Sequence, residues 1–177
     1  MRGCFTVRTA LGDRSGVTAL EFALVAPLFL GLVFSTFEAG WMMTKATLLD
    51  RALDVTVRDI RIGGTGAPQT QSEIRDAVCA EALVFLDCAK SLTIEMNPVT
   101  TAADFPSTAA TCIDRGAAVQ PVVNFRAAQR SATVFIRACV VSDPLTPLLG
   151  LALHLPKDSR GGYRLESSGA FVAEPST

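Results

Sequence analysis

From Phe22 to Phe37 the chain carries no charged side chain, a run of sixteen residues. Wound as a helix at roughly 1.5 Å per residue, it is about 24 Å long. Carried on through Glu38 to Met43 it reaches about 33 Å, enough for a bilayer core of about 30 Å provided that Glu38 lies near one membrane surface. Trp41 and Lys45 would then mark that interface, as a headgroup-level aromatic and a snorkelling cation do. The pattern changes beyond this point but does not stop. Thr44 to Ile62 contains no Pro or Gly, and Leu49, Leu53, Val57 and Ile60 recur at i, i+4, i+8 and i+11, which is one face of a helix. Asp54 and Arg58 stand four apart on another side, where opposite charges support a solvated surface. The spacing therefore predicts one helix of about forty residues that leaves the membrane with an apolar stripe and bends at Pro27, where a backbone hydrogen bond is missing.

Gly63-Gly64-Thr65-Gly66-Ala67-Pro68 ends that helix in a turn. A second helix is expected from Ser72 to Leu86, opened by Ser72 and Glu73, with Ile74, Val78, Ala82 and Phe85 along one face. Leu92 to Met96 alternates like a short half-buried strand, residues 97–121 are rich in Pro, Thr, Ala and Gly and read as loop, and the β-branched run Ala132 to Val141 is the strongest strand signal. Pro144 to Leu153 reads as a short apolar helix or turn, and Tyr163 to Ala173 as a last strand. A helix followed by a small antiparallel sheet is an α+β pattern. With 177 residues there is room for one domain plus an appendage.

Composition and charge sharpen this picture. Apolar residues make up 49% of the chain and charged ones 19%, below the usual share of about 25%, which excludes a disordered chain. A net charge of -1 offers no basic field for phosphate, so nucleic acid is not an expected partner. Arg2, Arg8 and Arg14 precede the apolar run against the single acid Asp13, which places the N-terminus in the cytoplasm and exports the chain beyond Lys45. A cleaved secretory signal fits poorly, because Phe37-Glu38-Ala39 is not a small-residue cleavage site. A lipoprotein signal at Cys4 fails because no apolar segment precedes it, and a soluble core helix of this length would be unusual. Cys79, Cys88, Cys112 and Cys139 all lie beyond the span, an even number in a compartment where disulfides persist. Four cysteines allow three pairings, of which Cys79 with Cys88 and Cys112 with Cys139 is favoured. That choice requires the second helix to break before Cys88. No two of them have the close spacing of zinc ligands, so no metal is expected.

Catalytic signals are weak. The sole histidine, His154, has no adjacent acid, and no G-x-S-x-G occurs. Gly63 to Gly66 lacks the Lys and the preceding strand of a phosphate loop. Neither an enzyme nor a cofactor is expected.

The most informative residues are Gly16-Val17-Thr18-Ala19-Leu20-Glu21-Phe22, where a basic tail ends in Gly and an acid stands alone five residues later, at the edge of the apolar span. An unpaired carboxylate is costly there and needs a partner. These residues resemble the prepilin-type processing signal and, more closely, the TadE-like proteins of tight-adherence (Tad, Flp-type) pili. The resemblance extends loosely to Ala23-Leu24-Val25-Ala26-Pro27, to Leu86-Asp87-Cys88 and to Leu145-Thr146-Pro147-Leu148-Leu149-Gly150, but not to residues 97–128. It implies that a prepilin peptidase, an aspartyl membrane protease, cuts between Gly16 and Val17. The new ammonium of Val17 would lie one turn from Glu21, and a neighbouring subunit's ammonium could pair with that carboxylate and set the register between packed helices. Many type IV pilins begin with Phe, whereas Val17 stands first here.

The expected organisation is a cytoplasmic leader (1–16), a transmembrane and extended N-terminal helix (17–62) and an exported α+β domain (63–177). The leading functional expectation is a minor pilin or pseudopilin of a Tad pilus, acting in pilus assembly and surface adhesion. Its partners would be the prepilin peptidase, other pilins and assembly-platform proteins, and membrane lipid. The alternative is an uncleaved single-pass envelope protein that binds through its outer domain.

Overall fold

The computed structural model describes residues 16–174 apart from 65, 128, 130, 148 and 149, so the expected leader lies outside the described residues except for Gly16. Helix α1, Val17–Ile62, runs for 46 residues without interruption through Pro27. It begins where the Gly16 carbonyl accepts the Leu20 N–H at 3.1 Å, and it stops at Gly63, whose φ of 64° closes the last turn onto the Asp59 carbonyl. That left-handed conformation suits a residue without a Cβ.

Helix α2 spans Gln71–Glu81, shorter than the expected Ser72 to Leu86, and its cap is Thr70 and not Ser72. The Thr70 hydroxyl accepts the Glu73 N–H while the Glu73 carboxylate accepts the Thr70 N–H, so two otherwise orphaned donors are satisfied at once. Ile74 and Val78 are fully buried, but Leu83 and Leu86 point to solvent and the chain turns through Asp87 at φ 54°. This break brings Cys79 and Cys88 to a Cα separation of 5.6 Å, whereas nine residues of continuous helix would hold them about 13 Å apart. A single turn, α3 (Cys88–Ser91), then leads into the sheet.

Strands β1 (Leu92–Pro98), β2 (Thr133–Ser142) and β3 (Tyr163–Val172) form an antiparallel sheet in the order β1-β2-β3. The long apolar helix followed by a helix and this sheet is an α+β fold, as the sequence pattern predicts. One sheet face, carrying Leu92, Ile94 and Met96, Val134, Ile136, Ala138 and Val140, and Tyr163, Leu165 and Phe171, packs with Leu49, Ala52, Leu53 and Ile60 of α1 and Ile74 and Val78 of α2. The stripe expected on α1 is therefore core. Val57 sits at its margin, and Asp54 and Arg58 are exposed as the pattern implies.

The opposite sheet face departs from expectation. Thr93 and Glu95 of β1 are buried too, because residues 99–127 fold back over them instead of forming a free loop. Thr93 donates to the Thr111 carbonyl at 2.5 Å, Glu95 accepts the Thr111 N–H at 3.0 Å, and Glu95 pairs with Arg137, its cross-strand partner. Ala110, Cys112, Cys139 and Val141 make a small second apolar cluster beneath this cover. The cover also has one backbone tie to the free edge of β1, where Met96 exchanges hydrogen bonds with Asn124 and Arg126.

Candidate functional site

The residues singled out at the N-terminus lie on the first turns of α1. Gly16 has φ -94° and ψ -2°, an ordinary right-handed conformation, and a Cβ added there would meet nothing within 4 Å. The fold itself thus places no demand for glycine at position 16. Val17 and Glu21 are one helical turn apart, and both are exposed, as is Phe22. Structure brings no other part of the chain to these four residues among those described.

Glu38, which the sequence places at a membrane surface, is fully buried within the protein. Its carboxylate accepts the Leu145 N–H at 3.1 Å, the Thr146 N–H at 2.8 Å and the Thr146 hydroxyl at 3.1 Å. Lys45, two turns further on, is 6% exposed and does not snorkel. Its ammonium donates to the Ser142 hydroxyl at 2.6 Å and the Asp143 carbonyl at 3.1 Å, and it lies 5.4 Å from the Trp41 ring centre and 5.5 Å from that of Tyr163. Burial of Tyr163, and then the Glu38 charge, push its phenol up to about 12. The physical reason for the difference is that a buried charge needs donors or acceptors at fixed positions, which the end of β2 and the loop after it supply. An acid in an apolar helix with no cation one turn away was the signal in the sequence, but its partners lie 107 and 108 residues on.

The loops at this end of the sheet are tied by a second cluster. Arg115 donates from both terminal nitrogens to Asp143, at 3.0 and 2.7 Å, and from Nε to Asp158 at 2.7 Å. Its guanidinium pKa is raised, first by the Asp143 and then by the Asp158 hydrogen bonds. Burial opposes ionisation of Asp158, but the hydrogen bonds from Arg115 and the Gly162 N–H outweigh it and hold its pKa at about 2. Gly162 is needed here for space, since a Cβ would collide with the Arg115 guanidinium and Val141. Beside this cluster lies an open cleft of about 640 Å³ lined by Leu86, Lys90, Arg115, Gln120, Asp143 and Arg160. His154 is exposed on a turn.

The four cysteines beyond α1 stand as two pairs at disulfide distance. Cys79 and Cys88 join the end of α2 to α3, with Cα atoms 5.6 Å apart, and Cys112 and Cys139 join the loop cover to β2 at 5.3 Å.

Residues 16–58 match the family model of the TadE-like proteins, which bears out the resemblance seen in the sequence. The matched stretch opens at Gly16 and ends near the foot of α1, so it takes in Glu21, Glu38 and Lys45 but none of the sheet. Among curated proteins and solved structures, none matches this chain.

Proposed function

We propose that this chain is a minor pilin or pseudopilin of a tight-adherence pilus, a structural component and not an enzyme. A prepilin peptidase cuts it between Gly16 and Val17. The free helix 17–37 crosses the inner membrane with its N-terminus in the cytoplasm, and the rest stands on the periplasmic side, where Cys79–Cys88 and Cys112–Cys139 are oxidised. Glu21 meets the Val17 ammonium of a neighbouring subunit, other pilins and the assembly platform are its partners, and the assembled pilus serves adhesion.

The observation that carries this proposal is a coincidence of three boundaries. The TadE-like match starts at Gly16, α1 starts at Val17, and Glu21 lies one turn into that helix. A cut after Gly16 leaves a chain whose first residue is already helical, with its ammonium at the positive end of a helix dipole, where a nearby carboxylate is favourable. Helix length agrees with the membrane assignment: 21 residues precede Glu38, which at roughly 1.5 Å each span about 31 Å, the thickness of a bilayer core.

Mass spectrometry of the protein isolated from its membrane is the test. Loss of residues 1–16 is expected, and an intact chain would favour the anchored binding protein, for which the cleft beside Arg115 is the supporting feature. Gly16→Ala should remain at precursor length. Because the fold tolerates a Cβ at position 16, that failure would report the peptidase's requirement and not misfolding.

A further inference from the structure

Leu145 is 57% exposed and shares an apolar groove with Thr36, Phe37, Gly40, Trp41 and Thr44, at the very place where α1 ceases to be bare and enters the fold. Its own N–H is held by Glu38, so the loop cannot swing away from the helix without uncovering a buried charge. One turn later in the chain, Gly150–Leu153 packs against α1 and buries Ala152 completely, yet Leu153 is left 55% exposed. Two leucines are thus presented to the surroundings by stretches that pack on α1, and Leu145 stands at the height of Phe37 and Trp41. Resting on the proposal that residues 17–37 cross the bilayer, that height is the boundary between acyl chains and headgroups.

We infer that residues 143–147 and 150–155 form a membrane-seating shoulder, which inserts Leu145 and Leu153 into the headgroup–acyl boundary of the periplasmic leaflet beside Trp41. The groove opens directly onto the apolar flank of the span, so the layer that surrounds Phe37 is continuous with the one that reaches Leu145. Trp41, more than a third exposed in that groove, is the residue type favoured at this depth. The contact is apolar in kind. The nearest charges, Glu38 and Lys45, are buried, and Arg115 with Asp143 and Asp158 leaves a net charge of -1, so anionic lipid is not required. The consequence is a domain whose tilt is set by two attachments, the helix and the shoulder, and not by the helix alone.

Trp41 is the only tryptophan, which makes the depth measurable. The full chain would be reconstituted into phosphatidylcholine vesicles whose acyl chains are brominated near the glycerol end. Single-tryptophan versions would be made in a Trp41→Phe background: Leu145→Trp, Leu153→Trp and, at the far end of the sheet, Val172→Trp. Val172 is half exposed and lies nine residues along β3 from Tyr163, about 30 Å away. Tryptophan at 145 and at 153 should lose emission to the same extent as Trp41, and at 172 none. Quenching at 145 and 153 no greater than at 172, with Trp41 still quenched, would overturn the shoulder while leaving the span intact. An unquenched Trp41 would remove the span and the shoulder together. If quenching at 145 disappears as the protein-to-lipid ratio is raised, a second copy of the chain covers the groove, and the assignment to lipid is wrong.

Discussion

In the first half of α1, Leu20, Phe22, Leu24, Leu28 and Leu32 are 64–75% exposed, whereas in the second half Leu49, Ala52, Leu53 and Ile60 are no more than 6% exposed. Both halves are continuous helix, and both are rich in leucine. They differ in how apolar residues are distributed around the axis. Up to Phe37 they stand on every side, and an all-round apolar helix has to be surrounded, by lipid or by other helices. From Leu49 on they form a stripe, with Asp50, Asp54 and Arg58 exposed elsewhere, and a stripe needs only one packed face. Between the halves lie Glu38 and Lys45, buried charges whose partners hold the loop after β2 against the helix. One element therefore carries two kinds of surface, and Glu38 and Lys45 mark the change.

Truncating each half in turn breaks the comparison most directly. Leu53→Ala should cost the domain about 2–5 kcal/mol, because the surrounding core relaxes only partly, while Leu28→Ala should stay within about 0.5 kcal/mol in detergent. Chemical unfolding followed by far-ultraviolet circular dichroism measures both. An equal loss at Leu28 would mean that the first half has a packed protein partner. Next in size is the cross-link of the domain alone. Replacing Cys112 and Cys139 with Ser releases a 27-residue separation and should cost roughly 3–4 kcal/mol, against roughly 2–3 kcal/mol for Cys79 and Cys88. Non-reducing peptide maps of periplasmic material come first, since four free thiols would remove both the bridges and part of the case for export.

The junction is the third target. Glu38→Ala leaves the Leu145 and Thr146 N–H groups without their acceptor and should cost about 1–3 kcal/mol, seen as faster proteolysis within residues 143–155. A double-mutant cycle with Thr146→Val would isolate the hydroxyl's share. Unchanged cleavage in the Glu38 variant would show that the two halves are joined without this latch.

The smallest effect is acid sensitivity, and it should be confined to the domain. Folding lowers the Asp158 pKa from 3.8 to about 2, so its stabilisation is complete above the unfolded value and is lost as pH falls from about 5 towards 2. That amounts to at most about 2 kcal/mol. Asp158→Asn should flatten the dependence, and helicity of the apolar half should not change over the same range. A span that melts in parallel would contradict the independence of the two environments.

Much of this division was legible. The uncharged run, the four-residue stripe, the three strands and the break that Cys79–Cys88 pairing requires all follow from periodicity or chain geometry, which act over a few residues. Even where the sequence misled, at the cap of α2, the error was local: Ser72 and Thr70 both precede Glu73, and only Thr70 has the three-residue spacing of a capping box. Residues 97–121 were legible as irregular but not as a cover, because nothing in a Pro- and Thr-rich segment says which sheet face its carbonyls will meet.

By itself, then, the sequence determined where the helix runs, which half is apolar all round, and where the TadE-like stretch begins, since each depends on neighbours within one or two turns. Tertiary structure alone decided that Glu38 and Lys45 turn inward and do not face headgroups. Their partners are Leu145, Thr146, Ser142 and Asp143, 97 to 108 residues away, and a charge takes the environment that supplies its hydrogen bonds.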